Sequence, residues 1–84
     1  MGGGAPGSGL AEDGYIVRVT TPRHGRGEPV VIDYIVAERD AYRAVDIVKQ
    51  RAAPNGEAEP VRPVSAEVVL RYRLNREQCT VWTG

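Results

Sequence analysis

The sequence has too little cysteine, histidine and unbroken hydrophobic sequence for several common protein classes. Its 84 residues include one cysteine, Cys79, and one histidine, His24. A single cysteine excludes the disulfide-stabilised secreted scaffolds, and these two residues are too few to hold a structural zinc ion. No stretch approaches the roughly 18–20 consecutive apolar residues of a membrane span. We therefore expect a cytoplasmic protein that binds neither a metal nor a membrane.

An excess of charge of one sign is also lacking. Eleven basic residues balance eleven acidic residues, so the formal net charge is zero. This balance argues against a protein that coats nucleic acid through its overall charge. The 42% content of hydrophobic residues argues against disorder of the whole chain, and a length of 84 residues fits one domain.

Glycine is concentrated at the N-terminal end. Residues 1–14 contain six of the ten glycines, together with Pro6 and Ser8. Such a segment gains little burial to offset the entropy cost of ordering it, and it lacks the basic start and apolar run of a secretory signal. We expect residues 1–14 to be a disordered Gly-rich tail and residues 15–84 to form a single α+β domain.

Local patterns predict four strands and one helix. Strands rich in β-branched residues are expected at residues 15–21 and 30–37, joined as a hairpin. Asp40 is a candidate N-cap for a helix that continues to about residue 53, because apolar residues recur there at helical spacing. Three prolines predict a loop over residues 54–63. Alternation then predicts a third strand over residues 64–74, and a short fourth strand is expected at residues 79–82.

The element order ββαβ(β) predicts an α+β fold in which one helix packs on one face of a three- or four-stranded, mainly antiparallel sheet. A right-handed crossover after the second strand would place the first strand in the middle, in the order 2-1-3. This pattern is common among small bacterial proteins of many functions, and we expect this chain to be one of them. The fold alone therefore does not indicate an activity.

One face of this sheet would lack a cover, because a single helix protects only one side. The alternation of side chains places a mixed set of aliphatic residues and arginines on the uncovered face. This set, the candidate interface, consists of Ile16, Arg18, Val31, Ile35, Val69, Arg71 and Arg73. A contiguous exposed apolar patch with a charged rim is typical of an interaction site. The alternative is a solvated face with scattered β-forming residues.

The candidate interface predicts a small non-enzymatic binding module, with a second copy of the chain or another protein as its partner. Binding of RNA or another nucleic acid is the alternative function. Residues 14–27 carry three arginines and no acidic residue, and residues 61–84 carry four basic against two acidic residues. On neighbouring strands such arginines would form a basic stripe that pairs with phosphates. The candidate residues for this function are Arg18, Arg23, Arg26, Arg71 and Arg73.

No group of residues meets the requirements of an active site. Cys79 and His24 would have to lie within hydrogen-bond reach of each other beside a third, orienting group, and a free cysteine is more often a small buried side chain. The loop over residues 25–27 matches neither a P-loop nor a dinucleotide-binding motif, so no cofactor is expected. Trp82 is expected to dock on the core rather than to serve as a recognition motif.

Overall fold

Residues 12–22 and 27–84 are described by a computed structural model of the protein. Their elements are β1 (Glu12–Thr21), β2 (Val30–Val36), α1 (Ala41–Arg51), β3 (Glu57–Ser65), α2 (Ala66–Arg71) and β4 (Cys79–Val81). The strands form one sheet in the order β3-β1-β2-β4, and all neighbouring pairs are antiparallel. The predicted α+β class, with a helix on the sheet, is confirmed, although there are two helices. Residues 1–11 of the predicted tail lie outside the described residues, whereas residues 12–14, also predicted as tail, belong to β1.

The helix α1 begins at its predicted cap. The Asp40 side chain accepts hydrogen bonds from the backbone N–H groups of Tyr42 and Arg43 at 2.9 and 3.1 Å. These bonds satisfy two of the donors that a helix leaves unpaired in its first turn. Ala44 and Val48, one turn apart, are the buried residues of this helix. Local capping and helical spacing were therefore sufficient to predict α1.

The strand β3 corrects the prediction of a loop over residues 54–63. It pairs with β1 from Glu57 to Ser65, along the outer side of the sheet. The prolines that suggested a loop, Pro60 and Pro63, are compatible with an edge strand because only its inner side has to donate hydrogen bonds. The strand β1 lies between β2 and β3, so it is central as predicted, but its neighbour is residues 57–65 and not the predicted strand over residues 64–74.

The helix α2 corrects the prediction of a strand over residues 64–74. The hydroxyl of Ser65 caps this helix by accepting a hydrogen bond from the backbone N–H of Val68 at 3.4 Å. After the helix, Arg73 adopts a φ of 56°, a left-handed conformation that ends helices. The alternation that predicted a strand is misleading, because Val69 is the buried residue of a helical turn.

The sheet has a hydrophobic core on each side, because successive residues of a strand point to opposite faces. On the face covered by α1, the α1 face, the buried residues are Val17, Val19, Val36, Ala44, Val48 and Ala53. On the face covered by α2, the α2 face, they are Ile16, Ile35, Ala37, Val64 and Val69. The central strand β1 therefore contributes to both cores.

Gly14 allows α2 to pack closely against the sheet. A Cβ atom at this position would lie 2.6 Å from the carbonyl oxygen of Val36 and 2.6 Å from a methyl carbon of Val69. We expect Gly14→Ala to lower the free energy of unfolding by about 1–3 kcal/mol, because strand or helix must move. Urea denaturation followed by circular dichroism measures this change. Leu70→Ala is the control, since Leu70 is 72% exposed on α2, and equal stability of the Gly14 variant and the native chain would contradict the close packing.

Candidate functional site

The apolar part of the candidate interface is mostly covered. Ile16, Ile35 and Val69 expose only 1%, 0% and 4% of their surface, because they form the core beneath α2. The prediction of an exposed apolar patch is therefore wrong for these three residues. The error comes from the prediction of a strand over residues 64–74, because that prediction leaves this face of the sheet without a second helix. Val31, by contrast, is 56% exposed.

Arg18 and Asp33 form an ion pair across β1 and β2. The two residues are directly opposite in the strand register. The Nε–Oδ1 distance of 2.9 Å and the Nη2–Oδ2 distance of 3.1 Å make the contact bidentate. The hydrogen bond with Asp33, and then the charge of Asp33, raise the pKa of Arg18. The Arg18 guanidinium, which was a candidate for phosphate binding, is therefore already paired with a carboxylate.

The other arginines do not extend a stripe along the sheet. Arg71 ends α2 and Arg73 lies in the turn after it, so neither belongs to a strand beside Arg18. Arg23 and Arg26 lie outside the described residues. The predicted basic stripe on adjacent strands is therefore wrong for the arginines that the structure describes.

Trp82 packs against the core of the α2 face. The centroids of the Trp82 and Tyr72 rings lie 5.5 Å apart. The guanidinium carbon of Arg62 lies over the Trp82 ring, 5.6 Å from its centroid. The backbone N–H of Thr83 then donates to the Tyr72 hydroxyl at 3.3 Å. After Trp82 the chain therefore turns toward α2 instead of continuing along β2.

The strand β2 is paired on its outer side along only part of its length. The short C-terminal strand β4, which the sequence predicts, pairs with residues 34–36. Next to this pairing, the backbone N–H of Trp82 donates to the carbonyl oxygen of Asp33 at 2.8 Å. No strand among the described residues pairs with the outer side of β2 before Asp33. We call this part of β2, which consists of Val30, Val31 and Ile32, the open edge.

Val31 turns its backbone groups toward the open side. The carbonyl of Asp33 points to β4, and successive residues of a strand alternate in the direction of their N–H and C=O groups. The N–H and C=O of Val31 therefore point away from β1, whereas those of Val30 and Ile32 point toward it. Val31 offers one hydrogen-bond donor and one acceptor to a partner.

The opposite edge of the sheet is protected. On β3, Pro60 and Pro63 lie opposite Val17 and Tyr15 of β1. Proline has no N–H to donate, and proline on an edge strand hinders the pairing of a further strand. The two edges of the sheet therefore differ, since two prolines interrupt the donors of β3, whereas the open edge of β2 contains no proline.

Exposed apolar side chains surround the open edge. Val31, Ile32 and Val81 are 56%, 37% and 47% exposed, and we call these three residues the edge patch. The strand register places Ile32 and Val81 on the α1 face and Val31 on the α2 face. A groove of about 270 Å³ lies beside Ile32 and is also lined by Tyr34 and by residues 52–56 after α1.

A larger cleft of about 530 Å³ lies between α2 and the first turn of α1. Most of its charged side chains pair with one another. Arg43 contacts Glu77 at 3.2 Å and Glu38 at 3.7 Å, and Arg39 contacts Asp13 at 3.9 Å. These pairs connect the start of α1 with β1 and with the turn before β4. The cleft therefore joins elements of the fold through charges that are already engaged.

The described residues include no group of three or more side chains that could hold a metal ion. None of their helices is long and apolar enough to cross a membrane. Cys79 packs half-buried against the core of the α1 face, and His24 lies outside the described residues. Burial raises the pKa of the Cys79 thiol, with a smaller lowering by the charge of Arg51. A nucleophilic cysteine needs the opposite shift.

Known proteins offer no template for this surface. No protein-family model matches the chain, and no curated protein or solved structure is significantly similar to it. The function is therefore inferred from the chain's own geometry.

The raised pKa of Cys79 has a measurable consequence. At about pH 8 a smaller fraction of this thiol is ionised than in an unperturbed cysteine, so we expect slower alkylation by iodoacetamide in the folded chain. Mass spectrometry of the alkylated fraction against time gives the rate, and the same chain in denaturant is the control. A folded-state rate above the denatured-state rate would contradict this result and would point to a reactive thiol.

Proposed function

We propose that the protein is a non-enzymatic binding module whose contact surface is the open edge together with the edge patch. Its partner is another protein or a second copy of the chain. The observation that supports this most directly is the difference between the sheet edges. Proteins usually protect exposed strand edges, as the prolines of β3 do here. An edge left open beside exposed apolar side chains is typical of an interaction site.

The edge patch also offers apolar surface that a partner can cover. Full burial of a valine or isoleucine side chain stabilises by about 1.5–3 kcal/mol. Val31, Ile32 and Val81 are each between one third and two thirds exposed, so a partner that covers them gains about 1 kcal/mol from each. A partner surface of apolar side chains is therefore favoured over a charged one.

Nucleic acid is a poorer partner for the described surface. Arg18 is paired with Asp33, and the ring of Trp82 packs against Tyr72 and Arg62. The exposed ring of Tyr42 lies on α1, away from the sheet, and the described strand arginines Arg18 and Arg62 contact Asp33 and Trp82. The sheet therefore does not combine an available arginine with an exposed aromatic ring on which single-stranded nucleic acid stacks. A cytoplasmic location remains part of our proposal, because a lone free cysteine suits a reducing compartment.

Ile32→Glu tests the proposed surface. We expect the charge to weaken partner binding by at least about tenfold, because a carboxylate loses its hydration in an apolar contact. Peptides selected from a random display library on the immobilised full chain, and sedimentation of the chain itself, measure binding to another protein and to a second copy. Val61→Glu is the matched control, since Val61 is 40% exposed on β3 and Ile32 is 37% exposed on β2.

The two variants separate the possible results. A loss with Ile32→Glu alone supports the proposal, provided that circular dichroism shows both variants to be folded. Equal losses in both variants, or no loss with Ile32→Glu, would place the contact elsewhere and overturn the proposal. The absence of both peptide binding and self-association in the native chain would overturn it as well.

A further inference from the structure

We propose that the partner presents a short extended segment, which pairs as an additional strand with the open edge of β2. This inference rests on the proposed function and specifies the kind of partner. Strand addition draws its affinity from main-chain hydrogen bonds and its specificity from alternate side chains.

The strand β4 limits where an added strand can lie. Trp82 occupies the position opposite Asp33, so the available positions begin opposite Ile32 and continue toward Pro29. An antiparallel residue opposite Val31 exchanges two hydrogen bonds with its outward N–H and C=O. A segment of a few residues therefore fills the available positions.

The alternation of side chains along a strand then predicts which residue types suit each position of the added segment. Its residue opposite Ile32 points to the α1 face, toward the groove lined by Tyr34 and residues 52–56, and an apolar side chain suits this position. The following residue, opposite Val31, points to the α2 face and covers the Val31 side chain. Beyond these, exposed Glu28 precedes the strand and favours a basic residue at that end of the segment.

A second copy of the chain fits the open edge less well. Two-fold antiparallel pairing centred on Val31 would bring Pro29 of one copy opposite Asp33 of the other, at the position that Trp82 already occupies. The area is also too small. Three partly exposed side chains fall well short of the roughly 800 Å² per partner that a stable protein–protein interface buries. A short peptide segment needs far less.

Amide hydrogen exchange of Val31, measured by NMR on the full chain, tests strand addition. The probe is the tightest-binding peptide selected from the random display library. Among the described residues no strand pairs with this amide, and we expect its exchange to slow at least about tenfold when the peptide saturates the protein. The amides of Val30 and Ile32 point toward β1 and serve as internal controls whose exchange changes little.

Val31→Pro gives a second measurement. It removes the outward N–H, and we expect at least about tenfold weaker peptide binding. Val31→Thr keeps this N–H and is the matched control. If Val31→Pro does not fold, the exchange measurement on the native chain decides.

The other outcomes separate this inference from the proposed function. Peptide binding with unchanged exchange at Val31 would overturn strand addition and leave the edge patch as a binding surface. Self-association without peptide binding would overturn it in favour of a second copy. The absence of both would overturn the inference together with the proposed function.

Discussion

The fold depends on covering a thin sheet on both sides. Ile16 and Val17 are neighbours in the central strand, point to opposite faces and are both essentially inaccessible to solvent. A strand with two apolar faces is stable only if each face is removed from water, and this small chain does so with one helix on each side. The helix α2 covers the second side. It is capped by Ser65, packs closely at Gly14 and shares its core with the docked Trp82.

The sequence was informative where structure depends on local signals. The hairpin of β1 and β2 and the capped helix α1 could be predicted because β-branched runs, helical spacing and Asp40 act over a few residues. Residues 57–71 could not, because prolines are compatible with an edge strand and the same valines satisfy both strand and helix patterns. Whether such a stretch forms a strand or a helix depends on the sheet face that it has to cover, and the residues of that face lie far away in the sequence.

The candidate site was only partly predictable for the same reason. Val31 could be chosen from side-chain alternation, and it is exposed. Alternation places Ile32 on the α1 face but does not tell whether a helix or neighbouring strand covers the side chain there. The exposure of Ile32 depends on how far α1 and the residues after it extend over that end of the sheet. The arginines show a related limit, since alternation places Arg18 and Asp33 on one face but does not determine the strand register that puts them directly opposite each other.

The position of Trp82 makes the two sides of the sheet optically distinct. The chain has one tryptophan, and it packs in the core of the α2 face. Most of the helical backbone lies on the other side, because α1 has eleven residues and α2 has six. Tryptophan fluorescence therefore reports on one core, while far-ultraviolet circular dichroism is dominated by the helix of the other. A single denaturation series read with both signals reveals whether the two halves of the domain unfold as one cooperative unit.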